Sequence, residues 1–214
     1  MSVKFFDVSL RDGLQSLKRI YSLNEKKELF HKIINKYNPH CIEIGSIVSP
    51  KVLPQMHNSL ELFSHVNKMG LPNIYMLTPN LKSVDVGIKH GVKNFSLITS
   101  VSDEFQKKNI NKSLDDTKKE ISNICSLLDN NDVENIKLYI SCINECPISG
   151  KKDTRYIIDE IDYYIDNHSN INEICLSDTC GTLDFIDFKN IIDSLIKFRD
   201  YSFYDKISLH LHKN

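Results

Sequence analysis

The chain lacks most of the features that would assign it quickly. No stretch approaches the length an apolar helix needs to cross a bilayer, so a membrane-spanning role is not expected. No charge of one sign prevails. The 27 Lys and Arg stand against 28 Asp and Glu, a net charge of -1, so no global basic field is aimed at nucleic acid. The first residues carry no secretory apolar core and no Arg-rich transit peptide, but lead straight into a strand pattern. A soluble, cytoplasmic protein is the expectation. None of the six cysteines (Cys41, Cys125, Cys142, Cys146, Cys175 and Cys180) forms a C-x-x-C pair, and in that location reduced thiols are expected throughout. Alanine is absent and glycine numbers only seven, from which no chemistry follows. No internal repeat, low-complexity segment or linker divides the sequence. Residues 1–214, 41% hydrophobic, are enough for one sizeable core and are expected to form a single domain.

What is present is an alternation of short β-rich runs and longer helical ones. Strands are expected near 3–8, 40–45, 73–77, 93–99, 136–141, 172–177 and 206–211. Helical patterns lie between them, at about 22–37, 56–69, 81–90, from Ser113 onward, 154–167 and 185–199. Ser22 and Asn24 are candidate caps for the first, and Ser113-Leu114-Asp115-Asp116 resembles a capping box with Asp in place of Glu. Such spacing indicates parallel β/α architecture. A doubly wound open sheet would carry a glycine-rich turn after its first strand. Here that turn is Ser9-Leu10-Arg11-Asp12-Gly13-Leu14-Gln15, with one glycine and two charges. The expected fold class is therefore α/β, a TIM (β/α)8-type barrel. Barrels of this type usually take about 250 residues. The expectation is an incomplete barrel of about seven strands, its last βα units missing after Asn214.

A parallel barrel gathers the carboxyl ends of its strands on one face, and the candidate residues fall at such ends. His210-x-His212 closes the last strand. Residues two apart on a strand point to one side, so the two imidazoles could converge with a carboxylate around a metal; two surface histidines in a frayed tail is the other reading. Asp12 is the chosen carboxylate. Arg11 beside it could stabilise an enolate or carboxylate oxygen, or could serve a structural ion pair. Glu43 ends the second strand in an apolar run and needs a partner if buried, unless it faces solvent at the rim. Asp178 could be a base or a group orienting a histidine, or else Asp178 or Thr179 simply caps the helix that follows. Cys142 and Cys146 show C-x3-C spacing without the second half a zinc site needs, so a lining role is expected. The polar segment Glu104–Asn111 could meet the phosphates of a long cofactor, but its composition is that of a solvated loop.

Taken together, these segments resemble the 3-hydroxy-3-methylglutaryl-CoA lyase family of the metal-dependent lyase barrel superfamily. The matching segments are Arg11-Asp12-Gly13-Leu14-Gln15, Ile42-Glu43, Val48-Ser49-Pro50-Lys51 with Pro54-Gln55-Met56, Leu77-Thr78-Pro79-Asn80-Leu81-Lys82, Lys107-Lys108-Asn109-Ile110-Asn111, Ser141-Cys142 with Cys146-Pro147 and Gly150-Lys151, Ser177-Asp178-Thr179-Cys180-Gly181, and His210-x-His212. They occur in the family's order along essentially the whole chain. The resemblance implies a divalent cation, Mg or Mn, held by Asp12, His210 and His212. It implies cleavage of 3-hydroxy-3-methylglutaryl-CoA to acetyl-CoA and acetoacetate, a step of ketone body and leucine catabolism. Arg11 resembles the residue that stabilises the enolate. Asp178 and Glu43 resemble the acids around the substrate, with Asp178 a candidate in proton transfer. Gln15 and Lys18 match positions near the substrate and its CoA arm. An acyl-CoA is the expected partner, with a homodimer left open. Departures are also visible. The family has Asp-Thr-Tyr-Gly after its paired histidines, where this chain has Lys213-Asn214, and then a glycine-rich loop with a cysteine and an asparagine ligand. Two alternatives stay open: a non-catalytic remnant that binds metal or CoA or pairs with a full-length relative, and an acyl-CoA condensing synthase of the same superfamily.

Overall fold

A computed structural model describes residues 3–197, 199 and 201–213, and the backbone alone at 201 and 202. Its residues group into two compact units. One holds residues 1–96 with 131–134, and the other 97–130 with 135–214. Seven strands form a sheet in the order β1 (Phe6–Asp7), β2 (Cys41–Ser46), β3 (Ile74–Leu77), β4 (Asn94–Ser100), β5 (Asn135–Ser141), β8 (Glu173–Asp178) and β9 (Ile207–Leu211). All of this sheet's pairings with assigned register are parallel. The strands at β2, β3 and β5 are buried almost from end to end, as expected where a parallel sheet is covered on both faces.

In the first unit, the sheet starts at β1, which has only two residues rather than the six expected. The cause lies just beyond it. The Val8 carbonyl accepts the N–H groups of Arg11, Asp12 and Gly13 at 3.1, 2.8 and 3.2 Å, winding Ser9–Gly13 into one π-helical turn. Helix α1 (Leu23–Tyr37) starts where the sequence put it. Ser22 Oγ accepts the Glu25 N–H, and the Glu25 carboxylate accepts the Ser22 N–H at 2.8 Å, a full capping box. Its inner face is Lys26, Phe30 and Ile33, at helical spacing. Helix α2 (Ser59–Asn67) is shorter than the expected 56–69. Pro54–Met56 form a separate 3₁₀ turn, and Asn58 spends its side chain on Lys26 Nζ and the Tyr21 carbonyl. Helix α3 (Leu81–Lys89) follows β3, capped by Asn80.

In the second unit, the segment expected as a loop is helix α4 (Asp103–Ile110). Ser102 caps it, acidic Asp103 and Glu104 occupy its first turn and Lys107 and Lys108 its last, which suits the helix dipole. Asp103 and Lys107 pair at 2.5 Å across one turn. Helix α5 (Leu114–Asp129) is capped by Ser113, but without the reciprocal contact of a full capping box. A short antiparallel hairpin that the sequence did not suggest, β6 (Glu145–Cys146) and β7 (Gly150–Lys151), turns through Pro147–Ser149. Helix α6 (Thr154–Asn167) and helix α7 (Phe185–Ile196) are each capped by an aspartate, Asp153 and Asp184. The last helix ends short of the expected residue 199.

Candidate functional site

The first unit builds a buried charge cluster at the end of β1. The parallel register sets Phe6 beside Cys41 and Asp7 beside Ile42, so the π turn after β1 overhangs Glu43. Glu43 has no exposed surface. Arg11, itself buried, donates Nε–H to Glu43 Oε2 and Nη1–H to Asp12 Oδ1 at 2.7 Å. A solvent-facing Glu43 at the rim is thus corrected: the residue is sealed inside and neutralised by Arg11. The other carboxylate oxygen, Glu43 Oε1, has no hydrogen-bond partner among the described residues. Asp12 is half-buried. Gln15 and Lys18, the proposed substrate-side residues, are exposed just past this turn.

The second unit supplies the imidazoles. On β9, Ser208 and His210 sit beside Cys175 and Ser177 of β8. His210 Nε2 and His212 Nε2 are 2.8 Å apart, with ring centroids separated by 4.8 Å. Two ligands adjacent on an octahedral ion at about 2.1 Å lie roughly 3 Å from each other, so this spacing suits a shared cation. Against the reading of a frayed surface tail, His210 lies in a paired strand and is half-buried, while His212, just past it, is exposed. The Tyr139 ring meets His210 edge-on, with centroids 5.9 Å apart. Lys137, two residues earlier on β5, is buried. Its ammonium bonds Glu173 and Ser208 Oγ and lies 5.0 Å from the Tyr139 centroid. Sequence reasoning did not single out Lys137 or Tyr139. Their signal was the alternation Lys137, Tyr139, Ser141 along one side of β5, legible only once β8 was known to pair with it.

Asp178 ends β8 and is buried. Its Oδ1 accepts the Thr182 N–H at 3.1 Å and its Oδ2 the Leu183 N–H at 3.0 Å. It therefore holds the turn after β8, while Asp184 caps the helix that follows. Nearby, the Cys142 N–H donates to Thr179 Oγ1 at 2.9 Å, tying the end of β5 to the same turn. Cys142 and Cys146 are buried, as a lining role requires. All six cysteines are free thiols.

Comparison with known proteins adds ancestry to this geometry. A family model described as HMGL-like matches residues 2–214. The 3-hydroxy-3-isohexenylglutaryl-CoA/hydroxy-methylglutaryl-CoA lyase of Pseudomonas aeruginosa is 32% identical over 155 residues, 72% of this chain and 51% of that protein. The mitochondrial hydroxymethylglutaryl-CoA lyase of Homo sapiens is 34% identical over 149 residues, 70% of this chain and 45% of that protein. This chain thus spans about half the length of these relatives. The crystal structure of hydroxymethylglutaryl-CoA lyase from Pseudomonas aeruginosa superposes with a TM-score of 0.87 at 27% identity, covering 98% of this chain and 68% of that one. The fold class is accordingly α/β, a TIM-type barrel, incomplete, with seven main parallel strands. By motif order, by fold and by the match along nearly its full length, the chain belongs to the HMGL-like family.

Proposed function

We propose that this protein carries metal-dependent carbon–carbon lyase chemistry, cleaving 3-hydroxy-3-methylglutaryl-CoA to acetyl-CoA and acetoacetate. The observation that carries the reading is the convergence of the His210 and His212 imidazoles, on and just after β9, with Nε2 atoms 2.8 Å apart. The reading takes Asp12, His210 and His212 as the ligand set, one carboxylate and two imidazoles. That donor chemistry fits a divalent ion such as Mg or Mn with its remaining positions left to water or substrate. When bound, the cation supplies a lower pKa to the substrate's tertiary hydroxyl.

The residues divide the remaining work. Asp178, fixed by two backbone donors, takes the hydroxyl proton. The carbon–carbon bond then breaks, leaving a ketone on one fragment and an enolate on the thioester fragment. Arg11 holds its guanidinium against the enolate oxygen. Glu43 fixes the angle of Arg11 through Nε, so the cation is organised before substrate arrives. Gln15 and Lys18 bind the substrate and its CoA arm from the exposed segment beyond the π turn. Several of the relatives are named as mitochondrial, and among the described residues no helix is long and apolar enough to cross a membrane. The reading carries a cytoplasmic location as a further part, checked by cell fractionation.

Two measurements test it. Titration with Mn2+ should raise the unfolding temperature of the wild type and leave a His210→Ala/His212→Ala variant unmoved. Purified chain given 3-hydroxy-3-methylglutaryl-CoA should release acetoacetate, and Asp12→Asn should abolish that release. Acetoacetate made equally well by Asp12→Asn would overturn the site. Because this chain spans about half of its curated relatives, a second reading is a protein that binds the cation or CoA without turnover. A thermal response to Mn2+ without any acetoacetate would select it.

A further inference from the structure

Two of the six thiols fall four residues apart just past the end of β5, and their surroundings differ. Cys142 has φ +63, the left-handed region, which turns the chain back directly after the strand. Four residues on, Cys146 sits in the β6–β7 hairpin, near enough to Cys142 to help push its thiol up. Both are buried, with relative exposures of 0% and 1%. Cys146 Sγ is ringed by donors: Ser102 Oγ at 3.1 Å, the Ile148 N–H at 3.4 Å and the Ser149 N–H at 3.5 Å. Ser102 Oγ also lies 2.9 Å from Glu104 Oε2. That carboxylate has Ser149 Oγ at 3.2 Å and Lys152 Nζ at 3.5 Å as well, so the single Ser102 hydroxyl proton can face the sulfur. Donors around a sulfur favour its thiolate. Burial pushes the Cys146 thiol up, but the hydrogen bonds from Ser102 and Ser149 outweigh it and bring the value to about 7. At Cys142 burial prevails and pushes the thiol up to about 11. The pair is thus one nucleophilic sulfur beside one that keeps its proton.

We infer that Cys142 and Cys146 form a peroxide-oxidisable dithiol, with Cys146 as the attacking sulfur and Cys142 as the resolving one. The Cys146 thiolate attacks one peroxide oxygen and the O–O bond breaks. Hydroxide leaves and takes up a proton to become water, and Cys146 is left as a sulfenic acid. The Cys142 thiol gives up its proton and attacks that sulfur, the S–O bond breaks, a second water leaves, and the disulfide forms. Two thiols are oxidised by two electrons, and one peroxide is reduced to two waters. Burial restricts the chemistry to an oxidant as small as hydrogen peroxide. The site is independent of the lyase reading and stands or falls without it.

Both cysteines fall in one tryptic peptide, Leu138–Lys151, which makes the test direct. The intact chain is treated with hydrogen peroxide, denatured, alkylated with N-ethylmaleimide and digested. The expected product is this peptide unalkylated and lighter by two hydrogens, restored to two alkylated thiols by dithiothreitol. Cys142→Ser should instead accumulate a Cys146 sulfenic acid trapped by dimedone, and Cys146→Ser should leave Cys142 reduced. Recovery of both thiols alkylated after peroxide, or a Cys146–Cys180 crosslink in place of the expected one, overturns the inference.

Discussion

Glu43 shows what single residues decide in this chain. A carboxylate with no exposed surface is tolerated because Arg11 reaches it from the π turn. Removing one partner of a buried pair strands the other charge and typically costs about 3–5 kcal/mol, whereas replacing both with apolar groups is far milder. Arg11→Met should therefore lower the urea midpoint sharply, and Arg11→Met/Glu43→Leu should recover much of the loss. Lys26 poses the opposite case. Its ammonium is buried on the Gln55 carbonyl and Asn58 Oδ1, and burial lowers its pKa from 10.5 to about 8, opposed in part by Glu61. Between those two values the unfolded chain holds more protons than the folded one, so stability through this group rises from pH 8 to pH 10.5. Lys26→Met should flatten that rise in a series of unfolding curves across the same range. Unchanged slopes would mean that the ammonium is paired as well inside as it is in water.

At the level of elements, close approach and capping set the boundaries. A Cβ built on Gly45 would lie 2.4 Å from Ser59 Oγ and 2.7 Å from Ser59 Cβ, so β2 meets the start of α2 without room for a methyl group. Gly45→Ala should cost about 1–3 kcal/mol in a urea titration as the helix start is forced outward. Ser22→Ala removes one side of the α1 capping box and should cost about 1 kcal/mol, read from the same experiment. These elements also show what the residues disclosed in advance. Helix α1 was legible because Ser22, Glu25 and the stripe at 26, 30 and 33 agree. Helix α4 was not, because six of its eight residues, all but Phe105 and Ile110, read as polar surface, and its stabilising features are charges placed at the two ends rather than an apolar stripe. The β6–β7 hairpin escaped notice because two-residue strands carry no periodicity at all.

For the molecule as a whole, near-balanced charge has a practical result. With a net charge of -1 and a sequence pI near 6.7, mutual repulsion between copies is weak around neutral pH. Light scattering should be strongest near pH 6.7 and fall by pH 8.5. The candidate site was legible to the extent that its residues are chemically distinctive. His210-x-His212 and Arg11-Asp12 announce themselves by type and spacing, whereas Lys137 and Tyr139 act through strand register, which no local pattern encodes. That dependence on register has one more result. His210 rides on β9 and His212 follows directly after it; β9 is five residues long, last in the sheet and paired, among the described strands, with β8 alone. A strand held from one side frays more easily than one held from two. When it lifts, both ligands depart together, so ion affinity and the opening of a single ribbon become one equilibrium. An occupied centre would then act as a clasp, and amide exchange along 207–211 should slow on adding Mn2+ while the exchange of β5 stays as it was.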